Sequence, residues 1–126
     1  MNFEETAEFK KDVKALKKRV PTLIGDIKRV KPRIEALYIV GDGMTPDEHT
    51  EFRKQFFEGK KAAILPGSTQ ESEVIKLRLD TDTTQYRKKL RLVFVAVRTD
   101  DTVRFIEIYA KNDKTREDTK RYKSYL

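Results

Sequence analysis

An α+β domain is what this sequence predicts, and three observations predict it. Apolar residues recur at helical spacing as far as Leu37, they recur at strand spacing from Ile75 onward, and 126 residues suffice for one core. The expected architecture is an N-terminal helical hairpin packed on a small antiparallel sheet of three C-terminal strands, with room for one short N-terminal strand. An extra helix is inserted and a short C-terminal helix closes the chain. Residues 1–126 are expected to form a single domain in which 41–72 is an insertion.

Phe9, Val13, Leu16 and Val20 follow i, i+4, i+7, i+11, while Lys10, Lys11, Lys14, Lys17 and Lys18 take the remaining surface. Pro21 is expected to stop that helix, and Thr22 to cap a second one carrying Leu23, Ile27, Val30, Ile34 and Leu37. Pro32 falls inside the second stripe and predicts a kink or break near Lys31. Gly41-Asp42-Gly43 lacks the further glycines of a dinucleotide loop and reads as a turn. Thr45-Pro46-Asp47-Glu48 is a good helix start, with Phe52, Phe56 and Phe57 as an apolar edge and Gly59 as the stop. Leu65-Pro66-Gly67-Ser68 is a turn.

Beyond it, Ile75, Leu77 and Leu79 alternate with Lys76 and Arg78, which sets both cations on the face opposite the aliphatics. LRLVFVAV, residues 90–97, is apolar on both faces and therefore central, with Arg91 its one charge. Thr99–Thr102 supplies a hairpin turn and VRFIEIYA, residues 103–110, runs back. Thr115-Arg116-Glu117-Asp118 resembles a capping box opening a helix with Tyr122, Tyr125 and Leu126.

The chain has 28 Lys and Arg against 21 Asp and Glu, a net charge of +7, and no cysteine. Disulfide scaffolds, thiolate zinc sites and cysteine nucleophiles are thereby excluded. No run approaches the roughly 18 apolar residues of a membrane span, and the N-terminus has no apolar signal core, so the expected setting is cytoplasmic with no membrane partner. The sequence pI of about 9.6 points to a polyanion. Residues 1–75 hold 14 cations and 13 acids, net +1, and residues 76–126 hold 14 and 8, net +6. The excess thus sits on the strands and tail. Arg91 is expected to be partly desolvated and in need of a partner that its strand neighbours do not supply.

The order of a lysine-rich helical pair, KLRL, LRLVFV and IYAKNDK resembles the RelE/ParE superfamily of type II toxins. The resemblance covers most of the chain outside 41–72. It implies a ribosome-dependent endoribonuclease that cleaves mRNA by metal-independent attack of the 2′-OH, with no cofactor, and a cognate antitoxin as protein partner. The ParE branch instead implies a non-enzymatic gyrase inhibitor, and a degenerate toxin would be a basic RNA-binding module. Such cleavage needs 2′-OH deprotonation, stabilisation of charge on the phosphate and protonation of the 5′-oxygen. By the resemblance Lys76 lies beside the 2′-OH with Arg78 and Arg91 helping to lower its pKa, Arg91 holds the phosphate, and Lys111 belongs to the same pocket. Arg87, Lys88, Lys89, Tyr109, Asn112 and Tyr122 are the expected RNA-binding residues, Tyr109 by stacking. Asn112 stands where relatives often carry an arginine, and the segment between Leu79 and Leu90 lacks their Gly-rich turn.

The remaining polar residues read as structural. His49 is expected to be an ordinary surface residue of the inserted helix. Asp80, Asp82, Asp100 and Asp101 read as turn formers rather than metal ligands.

Overall fold

The stripe that begins at Phe9 sets one layer of the fold. The structure, a computed structural model, describes residues 1–126, and in it β1 (Asn2–Glu5) leads through the Thr6 cap into α1 (Ala7–Leu16), whose Phe9, Val13 and Leu16 are buried. Burying three such side chains contributes about 1.5–3 kcal/mol each. The helix ends one turn before Pro21, and turns at residues 17–19 carry the chain to Val20, which is still fully buried. Helix α2 (Leu23–Glu35) runs through Pro32 without the expected break. Ile27, Val30, Ile34 and Leu37 are all buried, so packing on both sides of the proline holds the helix together. Thr22 precedes α2 but makes no capping bond; its hydroxyl donates to Asp26 at 2.9 Å and meets Thr81 and Thr83 instead.

The inserted helix α3 (Pro46–Glu58) forms as expected, with the Thr45 hydroxyl accepting from the Glu48 amide. None of its residues is buried; Phe52, Phe56 and Phe57 only lean on the core. His49 is half-buried, and its Nε2 lies 2.9 Å from the Ala36 carbonyl, which ties α3 to the end of α2.

The sheet is larger than expected. Besides β3 (Ser72–Arg78), β4 (Leu90–Val97) and β5 (Thr102–Ala110) it has β1 and a short β2 (Ala62–Ile64), in the order β1-β5-β4-β3-β2. It is mixed, because β1 runs parallel to β5 while the other pairs are antiparallel. Strands of three and four residues are too short to show a period, which is why the count of five was not legible. A bulge at Val93/Phe94 lets β5 place Ile106 and Glu107 on one face in succession. Helices α1 and α2 cover the face of Ile75, Leu77, Leu92, Phe94, Phe105 and Ile108.

The opposite face has a second, smaller core of Leu65, Val74, Val93, Val95, Ile106, Tyr109 and Tyr122. Helix α4 (Thr119–Lys123) supplies Tyr122 and is capped by Asp118, not by Thr115 as the capping-box pattern implied. No helix is long and apolar enough to cross a membrane.

Candidate nucleic-acid interface

Strand pairing brings the expected cations together in rows. Arg78 on β3 stands directly opposite Arg91 on β4, and Arg91 opposite Tyr109 on β5. One row inward, Lys76 stands between Ala63 of β2 and Val93 of β4. Alternation along the strands points all these cations away from the two N-terminal helices. Lys76, Arg78 and Arg91 line a shallow recess of about 50 Å³ together with Lys60, Lys61, Ala62 and Ala63. Its lining holds five cations and no carboxylate.

The two arginines lack charged partners. The Nε of Arg78 is buried without a hydrogen bond. Arg91 donates to the carbonyls of Lys88 at 2.9 Å and Leu90 at 3.1 Å, so backbone oxygens fill the need left open by its neighbours. Burial lowers the Arg91 pKa and Arg78 adds to that, against a raising contribution from Tyr109. Two half-buried guanidiniums facing each other are an electrostatic cost that an anion between them would relieve.

Lys76 differs. Its ammonium donates to Glu117 at 3.0 Å, and the Tyr109 hydroxyl lies 3.5 Å from the same carboxylate oxygen. Burial works against the Glu117 charge, but a backbone hydrogen bond and Lys76 outweigh it and hold its pKa below the usual value. Burial, with Glu117 and Glu107 nearby, pushes the Tyr109 phenol up to about 12. A role for Lys76 as proton acceptor therefore requires the Glu117 pair to open.

The other expected residues surround this site or leave it. Lys111 lies outside the recess lining and is exposed just past β5, where its amide donates to the Lys89 carbonyl at 2.8 Å and extends the ladder by one step. Arg87, Lys88, Lys89 and Asn112 are likewise exposed near this end of the sheet. Tyr122 is buried and its hydroxyl donates to the Pro66 carbonyl at 3.2 Å, which makes it a packing residue of the small core rather than an RNA-facing one. Tyr109 is also buried, and Lys114 sits 5.2 Å over its ring, so edge contact rather than open-face stacking is what it offers.

Three residues escaped the sequence reading. Lys60 and Lys61 lie in the segment taken for an elaboration, and Glu117 was absorbed into a capping box. The one signal for Lys60 and Lys61 was two adjacent cations just past the Gly59 stop. Lys60 has φ of 60° and Lys88 has φ of 62°, both left-handed, a conformation that costs a side chain about 1 kcal/mol over glycine. The turn aspartates prove structural in a different sense: Asp80 pairs with Arg33 and Asp82 with Arg29. No three His, Cys, Asp or Glu side chains come together as a metal site.

No protein-family model, no curated protein and no solved structure matches the chain.

Proposed function

We propose that the recess binds the phosphate backbone of RNA and that the chain is a RelE-like toxin of a type II toxin-antitoxin system, cleaving ribosome-bound mRNA through its 2′-OH. The observation that carries this reading is the convergence of Lys60, Lys61, Lys76, Arg78 and Arg91 on one recess whose lining has no carboxylate. Outside the inserted α3 and β2, the succession of a short N-terminal strand, two helices, three antiparallel strands and a C-terminal helix supports it. Arg78 and Arg91 would share the charge that builds on the scissile phosphate, since planar forks match phosphate oxygens in pairs. Lys76 would serve proton transfer once the incoming phosphate competes for it against Glu117. A cognate antitoxin would be the protein partner and the cytoplasm the setting.

Purified protein added to a translation reaction should leave primer-extension stops inside codons, and Arg91→Ala should remove them. Intact message with the wild-type protein would overturn the nuclease reading. One observation favours a second reading: Glu117 already neutralises Lys76. In that case the protein binds RNA without cutting it, and salt-sensitive binding with no stops is the expected signature. Inhibition of gyrase supercoiling with normal translation would instead favour the ParE branch.

A further inference from the structure

A second concave site stands at the other end of the sheet from the basic recess and on its other face. Arg98, just past the end of β4, is roughly 23 Å from Arg91 along the strand at about 3.3 Å per residue. Glu73 shares the face of Ile75 and Leu77 beneath the N-terminal helices, whereas Lys76 and Arg78 emerge on the reverse. There the end of α2, the inserted α3 and β2 enclose a groove of about 550 Å³. Its lining includes Arg53, Lys54 and Arg98 beside Val40, Phe57 and Ile64, and it holds no carboxylate.

The cations of this groove are held in place without being neutralised. Buried Glu73 accepts from Arg53 Nη2 at 2.9 and 3.0 Å and from Arg98 Nη2 at 3.2 Å, so one carboxylate answers two guanidiniums. Both guanidiniums also lie over the Tyr38 ring, their central carbons 5.1 and 5.4 Å from its centroid. Arg53 donates further to the Leu37 carbonyl at 2.9 Å. Arg98 engages Nη2 alone and its side chain is 40% exposed, which leaves donors for a ligand. Lys54 is exposed, with Glu58 no nearer than 4.0 Å. The Tyr38 hydroxyl is buried without a hydrogen-bond partner, and burial and the Glu73 charge hold its pKa above the usual phenol value, so it stays a donor. The recess at Asp26 contrasts with this one: its Arg29 and Arg33 are paired with Asp82 and Asp80, and no positive charge is left over.

We propose that this groove binds a small amphipathic anion, an apolar ring or short chain carrying one carboxylate or phosphate group. The anionic head would take charge-assisted hydrogen bonds from Arg98 and Lys54. A guanidinium already oriented by Glu73 and Tyr38 loses little freedom when it does so. The apolar body would lie against Val40, Phe57 and Ile64, of which Val40 is 45% and Ile64 47% exposed. A recess of this volume suits a small molecule, and the apolar half of its wall selects against a bare inorganic ion. Binding would also clamp α3, which supplies Arg53, Lys54 and Phe57 yet buries no residue of its own. The site shares no residue with the basic recess and does not depend on RNA binding there.

The probes are naphthoate, naphthyl phosphate, the neutral naphthylmethanol and acetate, titrated into the full chain and followed by amide NMR shifts and hydrogen exchange. At least one naphthyl anion should bind about tenfold more tightly than the alcohol or acetate and should slow exchange across α3. The tighter of the two anions identifies the head group. Arg98→Met keeps the stem and removes the charge, and should weaken the anions about tenfold while leaving the alcohol unchanged, which a general defect of folding would not do. Val40→Ser, at an exposed position, should weaken anions and alcohol alike. An alcohol as tight as the anions would mean a merely apolar cleft, and acetate as tight would mean a charge site with no use for the apolar wall. Shifts centred on Arg78 and Arg91 would put the anions in the basic recess. Each of these results would overturn the proposal, as would the absence of any response to both naphthyl anions.

Discussion

The sheet face opposite the N-terminal helices is divided into two halves that treat charge in opposite ways. Under α4 the half built on Val74, Val93, Val95 and Ile106 is dry, and the charges beside it are matched. Glu107, 2% exposed, meets Lys114, Arg121 and the Asp118 amide, and Arg121 reaches Asp12 at 2.7 Å as well. At the other half Arg78, Arg91, Lys60 and Lys61 make no ion pair. Matched charges hold α4 on the sheet, whereas unmatched ones add nothing to stability and leave an attraction for something outside the molecule. Lys76 stands at the border, partnered through Glu117.

The comparison breaks first at Glu107. Glu107→Ala takes the buried partner from Lys114 and the Asp118 amide, while Arg121 keeps Asp12, and should cost about 2 kcal/mol, read from urea unfolding. Arg91→Ala should leave unfolding within about 0.5 kcal/mol of wild type and, on the nuclease reading proposed above, cut RNA cleavage about 100-fold. Equal stability losses for the two variants would erase the distinction between the halves.

Glu117→Gln tests the border and should cost about 1 kcal/mol at neutral pH and, on the proposed RNA-binding reading, tighten that binding, since Lys76 is freed. The folded pKa of Glu117 lies below its unfolded value of 4.5. Its contribution is therefore complete above pH 4.5 and is lost as pH falls through the folded value, so the two proteins should converge in stability under acid. Tyr109 acts at the opposite limit: with its pKa raised from 10 to about 12, stability is complete below pH 10 and falls as pH rises toward 12. Tyr109→Phe should flatten that alkaline decline in a pH series of melting temperatures.

The smallest expected effect separates backbone from charge. Lys60→Gly and Lys88→Gly should each gain up to about 1 kcal/mol by relieving the left-handed backbone and, on the proposed reading, weaken RNA binding and reduce its salt slope by about 1. A variant that lost stability would place that lysine with the matched half.

Much of this division was legible before any coordinates. The stripes of Phe9 to Leu16 and Leu23 to Leu37 and the alternation of Ile75 to Leu79 fix the helices and the face on which Lys76 and Arg78 emerge. Arg91 announced itself as the one charge in an apolar strand. Lys60 and Lys61 were hidden because a three-residue strand has no period, and Glu117 because an acid two positions before a tyrosine-bearing helix reads as part of a cap. The RNA-binding expectation for Tyr122 gives way to packing, and Tyr122, Tyr125 and Leu126 already trace the apolar side of a short helix. Register, which sets Arg78 against Arg91, depends on pairing between distant segments and cannot be read from either one.

The bulge in β5 has a consequence for how this chain tolerates change. Strict alternation would send Glu107 and Tyr109 in among Phe9 and Phe105, and Ile108 out toward α4; the extra residue resets the phase and reverses all three. Deleting Ile106 would remove the bulge and leave Phe105 opposite Phe94 and Glu107 opposite Val93 in unbroken register, so Glu107, Ile108 and Tyr109 would keep their faces and the loss would be one side chain of the small core.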